Sequence, residues 1–393
     1  MLIREKLKQA RAILQELDVD CWVTFVRETG MTSDPTLVFL GPSHLTWHSA
    51  LVVCRDGRTR AIVGSLEVAT VKDLGAYDDV VGYVTGFREP FLEFLREVDP
   101  RSIALNYSEG SEICDGLTHG MFLTMQKALA EAGMADRIVP AEGIISALRE
   151  RKTAWEIETM RRAVRHTEEI YALVASFLRP GLTEKEVAAF MRAEVARRGL
   201  GFSWDEATCP SVFTGPDTAG AHYGPTDRAI ERGHVLNMDF GVKVDGYVSD
   251  MQRTFYVLEE GQTSAPPDVA RGFTTIVTAI EECRQAMRPG REGREIDAIA
   301  RRVLAENGYE EFPHGLGHQV GRFAHDGTAL LGPTWEKYAG KPYRKLEAGM
   351  VFTLEPRLTV PGRGVCTVEE MVVVTPDGCE WLSEPQKEIV LVR

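Results

Sequence analysis

The stretch HVLNMDFGVKVDGYVSDMQRTFYV, His234–Val257, leaves the chain few ways to fold. Two apolar runs flank Asp245-Gly246, and Asp-Gly between alternating apolar residues is a strong signal for a tight β-hairpin. With Asp245 and Gly246 as the two loop residues, Val244 faces Tyr247 and Asp239 faces Gln252. Asp250 then lies diagonally on the same face as Asp239. Two carboxylates that close repel each other, so either a positive group lies between them or one of them turns to solvent. The problem recurs in MVFTLEPRLTVPGRGVCTVEEMVVV, Met350–Val374, around Pro361-Gly362. A three-residue loop at 361–363 pairs Val360 with Gly364 and puts Glu355 opposite Glu369; a two-residue loop puts Glu355 on a face with Glu370 instead. Either register leaves an acid from each strand among apolar neighbours. Isolated buried carboxylates are too costly to keep ionised, and a cation removes the difficulty.

A third segment supplies a different donor. HGLGHQVGRFAHDG, His314–Gly327, holds three of the nine histidines. His314 and His318 have the spacing of a zinc-binding helix, but Gly315 occupies the place of the required Glu and Gly317 follows. Each glycine costs a helix about 1 kcal/mol relative to alanine. The segment therefore reads as strand or loop, and an imidazole from it needs partners from elsewhere in the chain. Four carboxylates and one imidazole form a hard, oxygen-rich donor set that favours Mn, Co, Fe or Zn over copper or an iron–sulfur cluster. Their charge balances two divalent ions, which points to a two-metal hydrolase.

At 393 residues the chain exceeds a single core and predicts two domains, 1–150 and 151–393. Helices near 3–17, 90–98 and 116–132 alternate with apolar strands and a hairpin at Asp56-Gly57, which makes the first part α/β. ALRERKTAWEIETMRRAVRHTEEIYALVASFL reads as one long amphipathic helix, and Thr183 with Glu186 as the capping box of the next. Beyond residue 200, strands and hairpins joined by tight turns predict antiparallel sheets, with helices near 268–287 and 293–307. A net charge of −13 repels a phosphate backbone, which argues against nucleic acid as a partner. No apolar run approaches the length of a membrane span, and the charged, amphipathic start does not read as a signal peptide. Seven scattered cysteines without a C-x-x-C suit reduced thiols in a cytoplasm.

The ordered set MDFG, Asp250, HGLGH, TLEP and VEEMVVVTPDG resembles the pita-bread metallopeptidases, which include methionine aminopeptidases, aminopeptidase P and prolidase. The N-terminal region is similar to the creatinase-type domain of the last two. The resemblance implies an α+β chain: a C-terminal pita-bread (creatinase/aminopeptidase) domain preceded by a smaller α/β domain. It implies that Asp239, Asp250, His318, Glu355 and Glu369 are metal ligands, with Asp250 and Glu369 bridging two divalent ions, Mn first and Co, Zn or Fe next. A water activated by those ions would be the nucleophile, and Glu355 would take its proton. His222 matches the family's histidine that precedes the first Asp ligand and lies behind the metal ligands, and His314 and His325 match the two flanking the ligand His, which would hold substrate and stabilise the oxyanion. The implied enzyme is a cytoplasmic, homodimeric, prolidase-like peptidase cleaving the Xaa-Pro bond of short proline-containing peptides. Aminopeptidase P action and proline-specific carboxypeptidase action are the alternatives within the class. A metal-free creatinase-like hydrolase or an inactive binding module lies outside it, and five intact ligand positions argue against both.

The departures from the family pattern concern substrate recognition. Gln319 follows His318 where Gly is usual, and His325-Asp326 replaces His-Glu. EPRLT replaces Glu-Pro-Gly followed two residues later by Tyr, and Thr367 stands where Arg is usual. Arginines appear instead at Arg322, Arg357 and Arg363, and arginine is the natural partner of a free carboxylate. One of these three is expected to recognise the substrate's C-terminus.

Overall fold

The computed structural model describes residues 2–217 and 223–393. It divides into two compact units, Met1–Arg149 and Glu150–Arg393.

The first unit is built on the strand Cys21–Val26, whose six residues are all buried. Alternate side chains of a strand point to opposite faces, and here both faces are covered. Trp22 and Val26 pack with Leu7, Ala10 and Leu14 of the helix Leu2–Glu16, whereas Cys21, Val23 and Phe25 pack with Phe91, Leu95 and Met125. The strand lies inside a mixed six-stranded sheet of order 79–83, 59–64, 49–54, 21–26, 103–105, 138–140. It pairs antiparallel with Ser49–Cys54 and parallel with Ile103–Leu105.

The single long helix expected across 147–178 is two helices, Glu142–Glu150 and Ala154–Phe177. The break is a capping box: Glu156 N–H donates to Thr153 Oγ1 at 3.4 Å, and Thr153 N–H donates to Glu156 Oε2 at 2.7 Å. Arg151 and Lys152 are good helix formers, so periodicity reads straight through them. Reciprocal side-chain bonds to the backbone win locally, and Lys152 N–H is drawn to Gly349 O at 3.1 Å. The capping box of Thr183 and Glu186 opens Glu184–Arg197 as expected.

In the second unit the helix Ala154–Phe177 backs the hairpin strands Val235–Phe240 and Met251–Val257. The Tyr171 hydroxyl lies 3.0 Å from Met238 O and 2.8 Å from Met251 O. Ser211–Thr214 extends this sheet antiparallel on one side; on the other, Val390–Val392 runs parallel to Met251–Val257, the exception to the antiparallel expectation. A second sheet of Val351–Leu354, Glu370–Val374 and Cys379–Trp381 packs its apolar residues against the helices Pro267–Ala286 and Gly293–Glu306. Among the described residues no helix is long and apolar enough to cross a membrane.

Candidate metal centre

Both hairpins have the registers that place their acids together. Val244 pairs with Tyr247 across a two-residue loop in which Asp245 (φ 48°) and Gly246 (φ 82°) are left-handed, as a type I′ turn requires. Asp239 therefore lies opposite Gln252. In the second hairpin Val360 pairs with Gly364 and Leu354 with Glu370. These pairs share one register, which sets Glu355 against Glu369. A bridge between Gln252 and Glu369 joins the hairpins side to side. Ser211, Asp239, Gln252, Glu369 and Glu355 thus form one row across the strands, with side chains on a common face.

His318 reaches the row from its own short strand, Gly317–His318, which pairs with Leu330–Leu331. A β-carbon at Gly317 would lie 1.9 Å from Thr353 O, so only glycine lets this backbone come so near. The helix Gly293–Glu306 steadies the approach: Asp297 Oδ1 accepts from Leu316 N–H at 3.0 Å, and Arg301 donates to the carbonyls of Phe312 (3.0 Å) and His314 (2.6 Å). His318 Nε2 ends 3.4 Å from Glu355 Oε1, 3.8 Å from Asp250 Oδ2 and 3.9 Å from Glu369 Oε1. Ligand atoms of Asp250, His318 and Glu369 all lie within 4.8 Å of one another.

The electrostatics call for a cation. Burial pushes Asp239 up to about 7. Burial, then the neighbouring carboxylates Asp239 and Glu355, holds Asp250 well above the usual carboxylate range. Burial also raises Glu355, reinforced by Glu369 and Asp239, and raises Glu369, reinforced by Asp250 and Asp239. Asp239 Oδ1 is buried without a hydrogen-bond partner. An orphaned oxygen, an imidazole nitrogen and three further carboxylates around one cleft fit divalent ions of the oxygen-preferring kind. The cleft encloses about 280 Å³, and besides these five residues it is walled by Trp204, Thr208, Ser211, Gln252, Ala324 and His325. The His325 ring stands edge-on to His318 with centroids 4.2 Å apart.

Other expected site residues lie elsewhere. His222 falls outside the described residues. His314 is not among the residues lining the cleft; its ring Nδ1 is 2.8 Å from Gly315 O and its ring lies beside Phe312 at 5.2 Å. None of the three arginines lines the cleft either. Arg363 is engaged by Glu259 at 2.8 Å and Asp268 at 3.7 Å, and Arg322 lies over the Tyr247 ring at 5.1 Å. Arg357 is half-buried and directly opposite Thr367. Glu370, the rival of Glu369, faces the other way: Arg253 holds it at 3.1 Å, and the Ser383 hydroxyl (2.6 Å) and Gln386 N–H (2.7 Å) donate to it. Trp204, Thr208, Ser211, Gln252, Asp297 and Arg301 are not singled out by any motif in the sequence. The pairing arithmetic that sets Gln252 opposite Asp239 is the one available signal for any of them.

Comparison with known proteins identifies the family and the fold. The model of metallopeptidase family M24 matches residues 158–376. A probable dipeptidase PepE of Mycobacterium tuberculosis is 30% identical over 88% of this chain and 85% of its own length. Among solved structures, dipeptidase PepE from Mycobacterium ulcerans superposes with a TM-score of 0.75 at 26% identity, covering 100% of this chain and 98% of that one. An Xaa-Pro dipeptidase from Bacillus anthracis gives a TM-score of 0.75 at 22% identity, over 99% of this chain and all of the other. An X-Pro aminopeptidase from Thermotoga maritima gives 0.72 at 22% identity, over 98% and 99%. A chain with this α+β pita-bread fold and this run of matched sequence is a metallopeptidase, and it belongs to family M24.

Proposed function

We propose that the protein is a dinuclear-metal Xaa-Pro peptidase of the prolidase type, acting on short proline-containing peptides. The observation that carries this reading is the convergence of Asp239, Asp250, His318, Glu355 and Glu369 on one cleft, with a buried Asp239 oxygen that lacks a partner. Those five side chains would hold two divalent ions, and manganese suits so oxygen-rich a donor set best. When bound, such ions bring a water's pKa down toward neutrality and polarise the scissile carbonyl. Glu355, which lines the cleft with its Oε1 3.4 Å from His318 Nε2, would take the proton from that water. His325, beside His318, donates to the carbonyl oxygen as it becomes negative. Leaving-side proline brings a tertiary amide without an N–H, so the wall that meets the ring has no donor to satisfy.

Three of the four similar proteins carry names that support a short substrate, two dipeptidases PepE and an Xaa-Pro dipeptidase, and the fourth is an X-Pro aminopeptidase. A cleft of about 280 Å³ also suits a peptide of a few residues. Of the three arginines, Arg357 is the candidate for the substrate's free carboxylate. It makes no ion pair among the described residues, and it stands directly across the ladder from Thr367, the position where this family usually carries arginine. All seven cysteines are free, which suits a reducing cytoplasm, and we take the working form to be a homodimer, as is common with this N-terminal domain.

The test compares kcat/KM for Ala-Pro, Ala-Pro amide and Ala-Ala. Ala-Pro is expected to exceed Ala-Ala by at least about 10-fold. It is expected to exceed its amide by roughly 10- to 150-fold, the worth of one charge-assisted hydrogen bond. Equal values for Ala-Pro and Ala-Ala remove proline specificity. Equal values for acid and amide remove the carboxylate clamp and favour aminopeptidase P action on longer peptides.

A further inference from the structure

The row of side chains that lines the cleft contains one amide. Gln252 sits between Asp239 on one strand and Glu369 on the next, where a further acid would face like charges on both sides. It is 4% exposed. Its backbone is clamped to Glu369 in both directions, Gln252 N–H to Glu369 O at 3.3 Å and Glu369 N–H to Gln252 O at 3.1 Å. Asp239 Oδ1 stays unpartnered, and the side-chain amide of Gln252 bonds to the two glutamates. Nε2 donates to Glu369 Oε2 at 3.0 Å and to Glu355 Oε2 at 3.4 Å.

The other oxygen of each glutamate is the one that faces the imidazole. Glu355 Oε1 is 3.4 Å and Glu369 Oε1 is 3.9 Å from His318 Nε2, with Asp250 Oδ2 at 3.8 Å. One amide group therefore holds the Oε2 atoms of both acids and leaves both Oε1 atoms pointed at the same place as the histidine nitrogen. An amide has two N–H donors, one for each carboxylate.

We infer that Gln252 is a positioning residue for the metal centre: it fixes the rotation of Glu355 and Glu369 so that one oxygen of each is presented to an ion together with His318 and Asp250. This rests on the reading of the cleft as a metal centre and adds the residue that orients its ligands. Outer partners of this kind typically contribute about 10- to 100-fold in metal affinity. Methionine at this position has similar length without an N–H, and glutamate has the shape of glutamine with acceptors in place of donors.

The test uses the full-length chain, freed of metal, as wild type, Gln252→Met and Gln252→Glu. Titration with Mn²⁺ alone gives the affinity, the visible absorption of the Co²⁺-loaded protein reports ligand geometry, and thermal unfolding of the metal-free proteins reports the fold. Both variants are expected to bind Mn²⁺ about 10- to 100-fold more weakly and to show an altered Co²⁺ spectrum. Gln252→Glu keeps the side-chain shape and carries the test if Gln252→Met does not fold. A lower melting temperature with unchanged Mn²⁺ affinity and an unchanged Co²⁺ spectrum would make Gln252 a packing residue and overturn the assignment. Wild-type protein that takes up no Mn²⁺ would overturn the metal centre itself, a different failure from variants that bind as the wild type does.

Discussion

Glu355→Gln should lower kcat on Ala-Pro by about 100- to 10,000-fold, the range spanned by loss of a positioned general base. Glu355 is the acid nearest His318, and its carboxylate is hemmed in by burial and by Glu369. The amide of glutamine keeps the shape but cannot accept the proton. Glu369→Gln should strip the protein of metal as well as activity, since Glu369 Oε1 belongs to the cluster around His318. The adjacent acid behaves differently. Glu370→Gln should keep its metal, because Glu370 points to Arg253 and Ser383. It should instead lose stability, by about 3–5 kcal/mol for breaking a buried ion pair. Kinetics, elemental analysis and denaturant melts on the three variants check this, and equal metal loss from Glu369→Gln and Glu370→Gln would show that the wrong acid has been placed in the site.

The second large effect concerns the metal-free protein, whose melting temperature should fall as pH rises from about 5 to about 8. Asp239, Asp250, Glu355 and Glu369 all have their proton affinity raised by burial in the folded chain. Unfolded, such groups titrate near ~4. Between that value and the folded one the native state holds more protons than the unfolded state, so raising the pH destabilises it. For Asp239 the loss runs through about 7, and the upward shifts of the other three act in the same direction. Every tenfold difference in proton affinity between the folded and unfolded chain is worth about 1.4 kcal/mol. Each kcal/mol in turn moves the melting point of a domain of this size by ~2–4 °C. Excess Mn²⁺ should reverse the trend, since deprotonated carboxylates hold the ions and a ligand at about 100 times its Kd adds about 2.7 kcal/mol. A chelated protein whose melting temperature climbs over the same range would contradict it.

The pairing of acids within each hairpin can be read from the sequence because hairpin register is arithmetic, whereas the meeting of the two hairpins cannot. Once Asp245-Gly246 and Pro361–Arg363 are loops, every cross-strand neighbour of Asp239 and Glu355 follows by counting. Counting sets Asp239 opposite Gln252, yet a glutamine among acids carries no signal of its own. The bridge that joins Gln252 to Glu369 links two hairpins far apart in the chain. Arg301 and Asp297 are invisible in the sequence for the same reason, since only the fold brings their helix beside the His318 loop. His314 enters through the family resemblance alone, and the extended backbone at Gly317–His318 does not project residues four apart together as a helix would. Proximity along a hairpin says nothing of the partners, here Glu259 and Asp268, that the fold gives Arg363. The helix break at Thr153 is within reach of the sequence: a Thr followed three residues later by Glu marks the helix start at Thr183, and the same pair at Thr153 is masked by the longer periodic run around it.

The central claim is that turnover depends on two ions held by Asp239, Asp250, His318, Glu355 and Glu369. Its most direct measurement is divalent-ion content by elemental analysis, made on the same samples whose Ala-Pro hydrolysis is followed before chelation, after it and on reloading with Mn²⁺. The predicted result is about two ions per chain at full activity, no turnover without them and recovery in proportion to ions restored. Full turnover by ion-free protein would contradict it.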